Sequence, residues 1–128
     1  MRIFKNKAFA RFAKKAGIDD PSLCKAVMDA EQGLIDANLG GGVIKQRVAR
    51  SGAGKSGGFR TLILFRMKSL AFFVHGFAKN EQDNIDDDEL IALKKLAAAM
   101  LGYDDAKLQL ALENKTLTEV ICNEKAIP

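Results

Sequence analysis

Residues 43–79 read VIKQRVARSGAGKSGGFRTLILFRMKSLAFFVHGFAK, and this stretch decides the fold. Val43 to Arg50 alternates apolar with polar residues, while Phe59 to Arg66 and Leu70 to Lys79 are rich in β-branched and aromatic residues. Both features predict strands. Ser51 to Gly58 holds four glycines and reads as a flexible loop, and Met67-Lys68-Ser69 is short enough for a hairpin. Three strands joined this closely form an antiparallel meander.

Upstream, Arg2 to Lys5 alternates as a short strand, and Asn6 is a helix N-cap candidate. Ala8, Phe9, Phe12, Ala13 and Ala16 recur at helical spacing before Gly17, a C-terminal stop. A second helix opens at Asp20-Pro21 and carries Leu23, Val27, Ala30 and Leu34 on one stripe, until Gly40-Gly41-Gly42 ends the region. Downstream, Asp86 to Glu89 supplies the acidic first turn of a helix whose buried stripe is Leu90, Leu93, Leu96, Ala97 and Met100, stopping before Gly102. A shorter helix spans 104–113, and Thr116 to Cys122 reads as a last strand or a docked tail. The order β-α-α-β-β-β-α-α is that of an α+β domain: a meander sheet packed on two N-terminal helices, with an extra C-terminal helix. One domain is expected over 1–128, its core over about 1–101 and a helical extension and tail over 102–128.

The chain has 128 residues, 48% of them hydrophobic, which suffices for one core without a disulfide framework or structural metal. Cys24 and Cys122 fit neither a zinc spacing nor a dense secreted scaffold, so they read as two incidental thiols of a reducing cytoplasm. The amino terminus lacks the apolar core of a secretory signal, and no apolar run approaches the ~20 residues of a membrane span. A soluble cytoplasmic protein without a membrane partner is expected. Gly52-Ala-Gly-Lys-Ser56 resembles the end of a P-loop, but Ala49 stands where the motif needs glycine, and a strand follows where it needs a helix. His75 is the only histidine, with no second histidine or paired cysteine to complete a metal site, and no cofactor is expected.

Charge is more telling. The net charge is +4, yet residues 1–80 hold 15 Lys and Arg against 5 acids, and residues 81–128 hold 5 against 11. Between Asp36 and Glu81 there is no acid, while Lys45, Arg47, Arg50, Lys55, Arg60, Arg66, Lys68 and Lys79 all fall inside. Strand parity puts Lys45 with Arg47 on one face and Arg60 with Arg66 on one face, and antiparallel pairing can join them. Guanidinium groups grip phosphate oxygens bidentately, and lysine acts as a point charge or proton donor. A phosphate-binding face and a merely solvated one are both consistent with that pattern. Parity places His75 with Phe73, Phe77 and Lys79, as a packed histidine or as a general base bordering the basic surface.

The segment GKSGGFRTLILFR (54–66), followed by FFVHGFAKNEQDNI (72–85), resembles the RelE/HigB-like toxins of bacterial type II toxin–antitoxin systems. The run GLIDANLGGGVIKQRVAR (33–50) is similar to the subgroup with a glycine-rich loop before its second strand. The resemblance covers about the first hundred residues and implies a small RelE-like fold. It also implies a metal-independent endoribonuclease that cuts mRNA, often on the ribosome, and is neutralised by an adjacently encoded helix-turn-helix antitoxin. By position, Arg60 matches the arginine that contacts the scissile phosphate, Lys45, Arg47, Arg50 and Lys55 match the basic cluster, and Lys79 matches the lysine of the pre-helix motif. The catalytic set so implied is Arg60, Lys55, Lys79, Arg47 and His75, on an RNA-binding surface that adds Lys45, Arg50, Arg66 and Asn80. Asn80 stands where the ribosome-dependent prototype has a second arginine, and no tyrosine lies near Ile85, the only one being Tyr103. Two other classes share this fold: a ParE-like gyrase poison and a non-catalytic RNA-binding module.

Overall fold

Strand β1 (Arg2–Asn6) ends on the residue that starts the first helix. Asn6 Oδ1 accepts the Phe9 N–H at 2.8 Å and so satisfies one of the orphan donors of α1 (Lys7–Ala16), a cap that contributes about 1 kcal/mol. Gly17 closes α1 in the left-handed region at φ +73°. Asp19 caps α2 (Asp20–Glu31) in the same way. The hydroxyl and then the backbone N–H of Ser22 donate to Asp19 and hold its carboxyl below the usual carboxylate range. That cap is in place above the ordinary aspartate range and is lost as pH falls through the lowered value. The computed structural model describes residues 1–50, 54–78 and 85–122, without the side chains of Arg50 and of residues 54–57.

The chain does not pass from α2 straight to the meander. A short strand, β2 (Ala37–Gly40), pairs antiparallel with β3 (Val43–Arg50), and the triple glycine forms the turn between them. Gly42 has φ +86°, and a Cβ there would lie 2.8 Å from Leu101 Cδ1, so side-chain-free backbone is needed both to turn and to let the end of α3 (Asp87–Met100) pack down. β4 (Gly54–Arg66) and β5 (Leu70–Ala78) complete the expected meander. Gly54 to Gly58, expected in a loop, belongs to β4, so Gly54, Lys55 and Ser56 of the P-loop-like stretch open a strand, while Ser51 to Ala53 lie outside the described residues.

After α3 come α4 (Asp105–Glu113) and β6 (Leu117–Val120). The six strands run β2-β3-β4-β5-β1-β6, with β1 parallel to β5 and antiparallel to β6. The segment expected as an extension thus supplies the sixth strand of the same sheet. One face packs on α1 and α2 through Ile3, Phe9, Leu23, Val27, Ile44, Val48, Ile63 and Phe73. The other packs on α3 and α4 through Phe4, Val43, Leu62, Leu64, Phe72, Ala97, Met100 and Leu108. β5 lies between both layers, which is why Leu70 to Val74 is an unbroken buried apolar run.

Two helix-stripe expectations need correction. Leu34 is 61% exposed, because α2 ends at Glu31 and the chain has already turned away. Leu96 is 39% exposed, because the seam of α3 runs Leu90, Leu93, Ala97 and Met100, and Leu96 stands one position off it.

The reading of the cysteines is also overturned. Cys24 on α2 and Cys122 just after β6 are joined in a disulfide, with Cα atoms 5.9 Å apart across a sequence separation of 98. Their spacing looked incidental because the contact exists only once β6 has docked on the sheet edge beside α2. A cross-link closing so long a loop restricts the unfolded chain strongly. Cys122→Ser is expected to lower unfolding free energy by about 2–4 kcal/mol in urea titrations without reductant. The parent protein in reductant is expected to lose the same amount.

Candidate active site

The register of the central strands sets the site. Arg47 on β3 is the direct partner of Arg60 on β4, which in turn pairs with Phe77 on β5. One pair further along the strands, Lys45 faces Leu62, and Leu62 faces His75. Two further along, Val43, Leu64 and Phe72 lie in the core beneath α3 and α4. Lys45, Arg47, Arg60 and His75 therefore share one sheet face, where the helical cover gives out. Arg47 and His75 are exposed, and Lys45 and Arg60 are half-buried.

His75 reaches this face through an irregularity that strand parity does not contain. The pairing shifts between Leu62 and Ile63, so that Val74 is an extra residue between Phe73 and His75. A bulge of one residue reverses the alternation beyond it. Phe73 consequently packs toward α1 and α2 while His75 and Phe77 lie on the opposite face, contrary to the expectation that all three share one. Without the shift His75 would point into the α1 layer. Asn6 Nδ2 donates to the Val74 carbonyl at 3.3 Å and pins the bulge to the β1–α1 junction. Gly76 beside it leaves room for the Phe12 ring, which a Cβ there would overlap.

The basic face is not acid-free in space. Arg60 Nη1 donates to Asp36 Oδ2 at 2.8 Å, with the two side chains 19% and 26% exposed. Asp36 is the last acid before the long basic stretch, and the fold turns it back onto the middle of that stretch. The device that does so is Gln46, 4% exposed. Its Nε2 donates to the Ala26 and Leu34 carbonyls, both at 2.9 Å, and its Oε1 accepts the Asp36 N–H at 3.1 Å. Two guanidinium groups at directly opposed positions repel. Asp36 supplies the counter-charge on one side of Arg60 and occupies one of its arms, and a guanidinium with five donors keeps others for an anion.

Sequence reasoning missed Asp36 and Gln46, although a signal for the second was present. Ile44, Gln46 and Val48 share the buried parity of β3, and a carboxamide on a core face must find partners. Of the residues expected in the site, the fold brings Lys45, Arg47, Arg60 and His75 together. Arg66 stands at the other end of β4, opposite Leu70, and donates to the Ser69 hydroxyl at 3.0 Å. Arg50 and Lys55 belong to β3 and β4 by their backbones, but their side chains, together with Lys79 and Asn80, lie outside the described residues. Tyr103 packs edge-on against Phe72 in the α3–α4 layer, with ring centroids 6.4 Å apart. Beyond Asp36 and Arg47, a groove of about 850 Å³ runs between α2 and β3.

The family model described as the RelE toxin of the RelE / RelB toxin–antitoxin system matches residues 1–120. The chain belongs to the RelE toxin family. A search against curated proteins returns no match. As a RelE-family toxin it is the toxin half of a toxin–antitoxin system and pairs with an antitoxin. Among the described residues of this RelE-family chain, no helix is long and apolar enough to cross a membrane.

The Asp36–Arg60 pair can be measured on its own terms. A double-mutant cycle with Asp36→Asn and Arg60→Gln is expected to give a coupling of about 1 kcal/mol in urea unfolding at low salt. The coupling should shrink in 1 M salt, where screening acts within ~3 Å.

Proposed function

We propose that this RelE-family toxin is an endoribonuclease that cuts mRNA and thereby inhibits translation. The observation that carries this reading is the direct cross-strand pairing of Arg47 with Arg60 on an open sheet face beside His75. Two guanidinium groups about 5 Å apart at Cβ span the non-bridging oxygens of one phosphodiester. Family membership supports the same reading, since the chain is a toxin whose sheet face offers positive charge and a titratable imidazole.

The nucleophile in this mechanism is the substrate's own ribose 2′-hydroxyl. Its oxygen attacks the adjacent phosphorus in line with the leaving 5′-oxygen. His75 takes the 2′-proton, and Lys55 or Lys79 returns a proton to the 5′-oxygen as the P–O bond breaks. The products are a 2′,3′-cyclic phosphate and a 5′-hydroxyl, so atoms and protons balance without a co-reactant. Arg60, with Arg47, carries the extra negative charge of the pentacoordinate phosphorane, charge that exists only in the transition state. Lys45, Arg50 and Asn80 would contact flanking phosphates, whereas Arg66 stands too far along β4 to join them, and a message in the cytoplasm, on the ribosome or free of it, is the target. The antitoxin in this reading is an adjacently encoded helix-turn-helix protein.

Removing one such electrostatic group typically costs about 10²–10³ in rate. Arg60→Ala is therefore expected to fold, to lose RNA cleavage by at least about a hundredfold, and to relieve growth arrest on induction. Primer extension on cellular messages reads the cleavage. A folded Arg60→Ala protein that still arrests growth fully would overturn the assignment, and arrest without message cleavage would overturn the nuclease reading.

A further inference from the structure

Beside His75, the same sheet face opens into a cavity of about 230 Å³ under the first turns of α3. Its walls are Leu62, Val74, Ile85, Ala92 and Leu93, and its polar groups are the His75 imidazole and the Glu89 carboxylate. The volume falls below the ~300 Å³ where pockets for drug-sized ligands begin, which suits a single flat ring system. Apolar walls with one aromatic ring and one acceptor at the rim are the surroundings that single-stranded bases seek when splayed out of a stack. The cavity adjoins the Arg47–Arg60 pair through Leu62, which stands one position pair along the strands from Arg60 and opposite His75.

Glu89 is the N3 residue of α3, and its placement is fixed. Its Oε1 accepts the Asp86 N–H at 3.3 Å while its own N–H donates to Asp86 Oδ1 at 2.8 Å, a reciprocal capping box. An ionised carboxylate has about four lone-pair sites, so this bond leaves capacity for two more donors. The base edges differ in what they offer it. Guanine alone presents two adjacent donors, N1–H and the 2-amino group, on its Watson–Crick edge. Adenine and cytosine place an acceptor next to their one amino group, and uracil flanks its N–H with two carbonyls. A negative charge on the basic face weakens phosphate binding there, and it discriminates strongly between these edges.

We propose that this cavity is a guanine-binding subsite, with the base stacked on His75 and its Watson–Crick donors on Glu89. The subsite rests on the nuclease reading only in supposing that the attached phosphate lies on Arg47 and Arg60. Stacking uses the face of the imidazole and leaves its nitrogens for proton transfer. Glu89 is thereby a specificity-determining residue for the base next to the cleaved bond.

The test uses the full chain and the four nucleoside 3′-monophosphates, followed by NMR at the His75 ring and the Ala92 methyl. Guanosine 3′-monophosphate is expected to shift both signals and to bind about tenfold or more tighter than the other three. Glu89→Gln preserves the capping box, since glutamine also serves at N3, and is expected to abolish the preference while the helix signals of α3 stay in place. Equal binding of all four nucleotides, or no shift at Ala92 with any of them, overturns the subsite whatever the cleavage assay reads. Guanosine-selective shifts in a protein that cuts no message would retain the subsite and overturn the nuclease reading, so the two failures are distinct.

Discussion

Each of the three hydrogen bonds of the Gln46 carboxamide is to a different stretch of main chain: helix α2 at Ala26, the post-helix turn at Leu34, and the approach to β2 at Asp36. The carboxamide is buried on the face of β3 that packs on α2, and its bond to the Ala26 carbonyl is shut away from solvent. A buried amide left without partners costs about 1–3 kcal/mol per group, so the turn has one good arrangement and many poor ones. With that turn fixed, Asp36 meets Arg60 at 2.8 Å, and Arg60 can sit directly opposite Arg47. Removing Gln46 would release the turn and with it the counter-ion of Arg60, while the β3–β4 register would still hold the two arginines opposite one another.

The second constraint is the shift of register at Val74. Ordinary alternation already puts Ala71 and Phe73 in the α1–α2 core and Leu70 and Phe72 in the other, and the shift then carries His75 onto the face opposite Phe73, beside Leu62. Asn6 is used twice at this point, capping α1 with Oδ1 and holding the Val74 carbonyl with Nδ2. The only histidine of the chain is thereby delivered to the basic face from a strand that is otherwise core. The acidic carboxy-terminal portion comes to the same place, for the capping box that starts α3 puts Glu89 in the lining of the cavity that His75 also lines. Charges that are separate in sequence are interleaved in space.

Much of the fold is legible in the residues because local chemistry and packing agree. Asn6 and Gly17 bound α1, Val43 to Arg50 alternates as β3 does, and Asp86 starts α3. What was not legible depends on non-local pairing. β2 is four residues long and carries no alternation of its own, so it exists by pairing with β3 across the glycine turn. The parallel placement of β1 beside β5, and the bond between Cys24 and Cys122, need the finished sheet. That Lys45 shares a face with Arg47 could be read from parity, because period-two arithmetic holds along an unbulged stretch, whereas the placing of Arg60 directly opposite Arg47 is a matter of register. His75 could not be placed that way, since one inserted residue inverted its face. Arg66 shared parity with Arg60 and still lies at the far end of β4, because parity fixes a face and says nothing of distance along it.

The proposed chemistry draws its nucleophile from the ribose, and that requirement can be read from the ends of the cleaved strand. An RNA oligonucleotide carrying guanosine within a mixed sequence is incubated with the full chain, alongside the same strand with a single 2′-deoxynucleotide at the cleavage position, and the products are resolved by mass spectrometry. The expected products are a 2′,3′-cyclic phosphate on the upstream fragment and a 5′-hydroxyl on the downstream one, with the deoxy-substituted strand left intact. A 5′-phosphate on the downstream fragment, or cleavage of the strand at the deoxynucleotide, would contradict that chemistry.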